Sequence, residues 1–168
     1  MIFLGLDPGV AGGIAAVDAA GRVVFAVHMP ATEADLLQTL QHQDQHRQAR
    51  AVLERVSASP QMGVVSAFTF GKGYGGLRMA LAATAIPFDE VSPIRWQNAL
   101  GCRTGGDKNI SKRRAEQLFP GYRITHACAD ALLLAEYCRR SELGLWRTEA
   151  PKAKRASRRA SPLLESVS

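Results

Sequence analysis

Several absences narrow the sequence before any motif is read. No apolar run approaches the roughly 20 residues that a membrane-spanning helix needs, so no membrane partner is expected. The N-terminus carries no basic region ahead of its first apolar stretch, and Asp7 interrupts that stretch early, so it does not read as a secretory signal. The three cysteines, Cys102, Cys128 and Cys138, are odd in number and show no CxxC spacing. That argues against a disulfide framework and for inert thiols in a reducing cytosol. There is no GxSxG, which leaves a nucleophilic-serine site without support. The glycine-rich "FGKGYGG" lacks the GxxxxGK[ST] of a phosphate-cradling P-loop. No internal repeat is present.

Acidic residues are scarce in two places. From Arg147 to Arg159 six basic side chains face one acid, Glu149. Between Arg103 and Arg114, five basic residues (Arg103, Lys108, Lys112, Arg113 and Arg114) face Asp107 alone. With a net charge of +6, these patches of +5 and +4 leave −3 for the remainder. Positive charge focused on a slightly acidic body suits a polyanion, although a solvated tail without a partner would look the same. The chain divides into one domain over 1–146 and a small, basic, serine-rich tail over 147–168 that is expected to be disordered.

Apolar runs at 2–7, 12–18 and 22–30 predict a three-strand antiparallel meander. A helix is expected over 33–48, a central strand over 50–56 and a loop over 57–63. The stretch 66–85 reads as glycine-rich turns that end in a helix, 88–93 as a short strand stopped by Pro93, and 107–119 and 129–144 as helices. The order βββαβαβαα predicts an α/β fold with a mixed five-stranded sheet, the meander plus two parallel strands, flanked by helices on both faces.

Three acids stand out in this frame. Asp7 ends an apolar strand beside Pro8-Gly9 and Gly12-Gly13. It either bonds to a hairpin turn or faces a ligand that the glycines let approach closely, and both a metal ion and a nucleotide phosphate fit. Glu54 ends the next apolar strand. Pairing with Arg55 or exposure to solvent would explain it, but alternation points Arg55 to the opposite face. His126 and Asp130, four residues apart, share a helix face that Leu134 and Tyr137 continue; Thr125 or Asp130 could instead cap that helix. Carboxylates brought together repel unless a cation intervenes. Oxygen donors with one imidazole suit Mg²⁺ or Mn²⁺. Two such ions about 4 Å apart can activate water and stabilise the leaving oxygen of a phosphodiester.

"GLDPGVAGGIA", "LERVSASPQMGVVSAFTFGKGYGG", "VSPIRWQNALG", "DKNISKRRAEQLFP" and "ADALLLAEY" follow one another in this order over residues 1–140. Together they resemble the compact RuvC-type Holliday-junction resolvases. The resemblance implies an RNase H-like fold, a homodimer, and cleavage of four-way DNA junctions by paired symmetric nicks with two Mg²⁺ or Mn²⁺ ions per site. It makes Asp7, Glu54 and Asp130 metal ligands. His126 stands where the family has a further carboxylate, as ligand or general acid, and Lys108 and Lys112 lie near the scissile backbone. The loop that directly follows Glu54 puts Gln61 or Met62 within reach of bases at the crossover, and Lys72, Arg103, Lys108, Lys112, Arg113 and Arg114 are the further expected DNA contacts. For Phe68, Phe70 and Tyr74 core packing is expected ahead of base stacking. Competing readings are a nuclease of the same fold acting on RNA–DNA hybrids or flaps, and a junction-binding protein that no longer cuts. A sugar-kinase or actin-like ATPase shares the opening hairpin but needs a second, duplicated domain.

Overall fold

In the computed structural model, residues 1–44, 48–57 and 59–146 are described; the expected tail over 147–168 and the last turn of the first expected helix lie outside them. Strands β1 (Ile2–Asp7), β2 (Gly13–Asp18) and β3 (Val23–His28) form the meander. Strand β4 (Ala49–Glu54) pairs parallel to β1, and β5 (Phe88–Val91) parallel to β4. The five-stranded sheet runs β3-β2-β1-β4-β5, so β1 and β4 lie centrally.

Helices cover both faces. Alternation sends Ile2, Leu4 and Leu6 of β1, with Ala51 and Leu53 of β4, into a core beneath α1 (Glu33–Asp44) and α2 (Val64–Ala83). Phe3 and Val52 point the other way, into a core built by α3 (Pro93–Leu100), α4 (Lys108–Leu118) and α5 (His126–Glu142). The same parity turns Asp7 and Glu54 toward α5, each at the carboxyl end of its strand.

Helix α5 is apolar along most of its length and crosses β1 unusually closely. Contact is possible because residue 5 is glycine: a Cβ there would collide with the Ala131 carbonyl oxygen and the Ala135 amide nitrogen. Backbone cannot yield as a flexible side chain does. Gly5→Val should therefore cost about 3 kcal/mol, a drop of about 10 °C in melting temperature for a domain of this size. Thermal denaturation followed by circular dichroism measures it; an unchanged midpoint would contradict this packing.

The structure corrects four expectations. Residues 66–85 do not begin as turns: α2 is continuous from Val64, through Gly71, Gly73, Gly75 and Gly76. Each glycine costs about 1 kcal/mol in a helix, but burial of Leu77, Ala80 and Leu81 against the sheet offsets it. Pro93 does not merely stop a strand; it opens α3, at a position where its missing N–H costs nothing, and Gly101 closes that helix with φ 67°. Helix α5 begins at His126 rather than at residue 129. Finally, Phe68 does not pack in the core but is 75% exposed, whereas Tyr74 packs against the α1/α2 core. Phe70 is half-buried, close to Gly9.

Candidate active site

Three elements deliver three carboxylates to one place. Asp7 is the last residue of β1, Glu54 the last of β4, and Asp130 lies in the second turn of α5. Their electrostatics shows the convergence. Burial pushes the Asp7 carboxyl up to about 8, helped by the charges of Glu54 and Asp130 and opposed by Lys108. Asp7 and Glu54 lie close enough for each carboxyl to act on the other. Burial also raises Glu54, against the indole N–H of Trp96, whose Nε1 donates to Glu54 Oε1 at 2.8 Å. Burial raises Asp130 too, opposed by Ser111, Lys108 and His126. Ser111 Oγ lies close enough to Asp130 to act on it but outside hydrogen-bonding geometry, so Asp130 Oδ1 and Ser111 Oγ are both buried without a partner.

These groups form a partly dehydrated set of oxygen donors with more negative charge than their surroundings compensate. An orphaned carboxylate oxygen and a carboxyl pushed up to about 8 are what a hard divalent cation would relieve. Among the described residues no three His, Cys, Asp or Glu side chains are grouped closely enough to hold one metal ion as they stand. The fit to a cation is therefore one of donor chemistry and placement rather than of a finished coordination shell.

The other expected site residues distribute around this centre. Lys108, the first residue of α4, is exposed and acts on both Asp7 and Asp130. His126 is exposed at the first turn of α5, on the rim, with Asp130 and Asp107 in electrostatic reach. Arg103 and Arg113 are exposed, and half-buried Lys112 lies 3.8 Å from Glu116. Arg114 is committed elsewhere: its Nε donates to the Leu100 carbonyl at 2.8 Å and its Nη1 to Gln117 Oε1 at 3.1 Å. Gln61 is exposed and hydrogen-bonded with Ser59. Met62 and Lys72 line a groove of about 670 Å³ that starts at Gly9, two residues beyond Asp7, and also takes in Val10, Met29 and Phe70. Lys72 reaches Glu33 at 3.6 Å. A smaller cleft of about 360 Å³ lies beside Arg95 and Glu142, on the far half of α5. The three carboxylates line neither cavity.

Sequence reasoning missed Trp96 and Ser111. Both come from the segment after Pro93, and the one available signal was a tryptophan in a short polar stretch. The three cysteines are free and buried, as expected. Burial pushes Cys102 up to about 11, with Asp130 adding to the effect, and Cys138 up to about 12, so neither thiol is reactive near neutrality.

No protein-family model and no curated protein matches the chain at the level of sequence. Solved structures do match. The structure of Thermus thermophilus RuvC superposes with a TM-score of 0.66 at 17% identity, covering 86% of this chain and 97% of that one. The same protein in complex with Holliday junction substrate gives 0.65 at 18% identity, with the same coverage. The fold is RuvC-like, of the RNase H-like class, with the mixed sheet and meander expected from the sequence.

Proposed function

We propose that this RuvC-like chain is a metal-dependent endonuclease that resolves four-way DNA junctions by paired symmetric nicks. The observation that carries the reading is the convergence of Asp7, Glu54 and Asp130 at the carboxyl ends of β1 and β4 under α5. It occurs in a fold similar to a protein solved with Holliday junction substrate. Asp7, Glu54 and Asp130 would hold Mg²⁺ or Mn²⁺, with His126 on the rim as a further ligand or general acid. Such ions, when bound, supply activation of water and charge neutralisation at the leaving oxygen. Lys108 places a positive charge beside the carboxylates, where a scissile phosphate would sit. Arg103, ahead of α4, and Lys112 and Arg113 within it would continue that positive surface and give affinity for backbone without reading sequence. Gln61, Met62 and Lys72 would meet the strand on the β1–β2 turn side.

Paired nicks need two copies of the site, and α2 supplies a surface for a second copy. Val64, Val65 and Phe68, 86%, 80% and 75% exposed, lie together in the first turns of the helix. Exposed apolar residues grouped in this way mark an interaction surface. Phe68→Glu should leave a monomer by light scattering and convert paired nicks to single ones; a stable Phe68→Glu dimer would exclude this surface.

The reading is tested by incubating the protein with a four-way junction, a linear duplex and an RNA–DNA hybrid, each with and without Mg²⁺ or Mn²⁺. Metal-dependent symmetric nicks in the junction alone are the expected result. Preferential cutting of the hybrid would make it a ribonuclease of the same fold, and tight junction binding with no cutting in either metal would make it a binding protein.

A further inference from the structure

Trp96 is wholly buried in the α3/α4/α5 core, yet its one polar atom faces the carboxylates: Nε1 donates to Glu54 Oε1 at 2.8 Å. An indole N–H only donates, and when buried it needs an acceptor. Glu54 is a flexible side chain at the end of a strand, and without a partner its carboxylate could rotate away from Asp7. Trp96 itself is fixed from several sides. Pro93 starts α3, Gly101 ends it in a left-handed turn, the Cys102 amide bonds to the Gln97 carbonyl at 2.9 Å, and Arg114 of α4 holds the Leu100 carbonyl.

We infer that Trp96 is a positioning residue for the proposed metal site: its indole N–H holds one oxygen of Glu54 and leaves the other to face Asp7 and an incoming cation. The inference rests on the metal-site reading above. Trp96 is sealed from solvent, so it cannot touch DNA, water or a metal and acts only through Glu54. Outer partners of metal-binding carboxylates typically contribute 10- to 100-fold in metal affinity, and that is the size of effect expected here.

The chain has two tryptophans, so a nitrogen-15 spectrum carries two indole signals. Trp146, whose Nε1 donates to Ser141 Oγ at 3.2 Å near the far end of α5, is the internal control. On titrating the full-length protein with Mg²⁺, the Trp96 indole signal should move and that of Trp146 should not. Mn²⁺ affinity, read from free Mn²⁺ by electron paramagnetic resonance, should fall at least tenfold in Trp96→Phe. Benzothienylalanine at position 96 keeps the shape and removes only the N–H, so it should show the same loss even if the phenylalanine variant folds poorly. Wild-type Mn²⁺ affinity in the benzothienylalanine protein, or a Trp96 indole signal that ignores Mg²⁺, overturns the inference. A wild-type protein that binds Mn²⁺ with the expected indole shift but cuts no junction sinks the resolvase reading alone. A wild-type protein that binds no Mn²⁺ sinks the metal site and this inference together.

Discussion

Asp7→Asn, Glu54→Gln and Asp130→Asn should each lower junction cleavage by about a thousandfold or more while leaving junction binding nearly unchanged. Cation chemistry of this kind supplies several kcal/mol to a phosphodiester transition state, and ~4 kcal/mol is about a thousandfold in rate. Each amide keeps the shape of the carboxyl and removes the charge that would hold the ion. On the proposed reading, affinity for DNA would come instead from phosphate contacts by exposed basic residues such as Arg103 and Arg113, which these substitutions do not touch. Single-turnover cleavage and a binding isotherm in Ca²⁺ separate the two effects. A variant that cuts at near the wild-type rate removes that residue from the ligand set.

The second large effect is on stability, and its sign is opposite to the usual behaviour of carboxylates. Asp7 is raised from 3.8 to about 8 in the folded protein. Between those values the native state binds more protons than the unfolded chain, so stability is highest at the acid end and falls as pH rises toward 8. Glu54 and Asp130 are also raised and act in the same direction. Glu136, lowered against its burial by Arg139 and Arg140 at 2.8 and 2.6 Å, acts oppositely, but only below the ordinary carboxylate range. With each unit worth 1.36 kcal/mol, Asp7 should withdraw on the order of 4 kcal/mol between pH 5 and 8. That corresponds to about 10 °C in the melting temperature of the metal-free protein. Asp7→Asn should flatten this slope and melt higher than wild type at pH 8. Millimolar Mn²⁺ should restore wild type at the same pH, because a cation that binds only the folded state stabilises it. Parallel pH slopes for wild type and Asp7→Asn would show that Asp7 is not the group responsible.

Much of this arrangement is legible in the sequence. The meander, the parallel strands and the helices on both faces follow from strand alternation and turn signals, and the structure has them. Strand parity alone put Arg55 on the face opposite Glu54. What escaped was decided by tertiary packing. Four glycines in α2 favour turns locally, and only burial of Leu77, Ala80 and Leu81 against the sheet overrides them. Pro93 is as good a strand stop as a helix start, so α3, and with it Trp96, was invisible. Phe68 carries the composition of a core residue but sits on the outer side of its helix. Arg114 belongs to a basic cluster by sequence, yet its guanidinium braces the end of α3. A hydrogen-bond partner 14 residues away leaves no trace in local pattern.

The missing side chain at position 5 also acts as a spacer of zero thickness. Gly5 lies two residues before Asp7 on the same side of β1, and its close neighbours Ala131, Leu134 and Ala135 follow Asp130 along α5. The height of the helix above the strand is therefore set at that crossing, and Asp130 is carried toward Asp7 by the same amount. Any bulk added there would lever the first turns of α5 outward and widen the carboxylate cluster without altering one of its members. The reach of the proposed metal site is thus calibrated by a residue that contributes no atom to it.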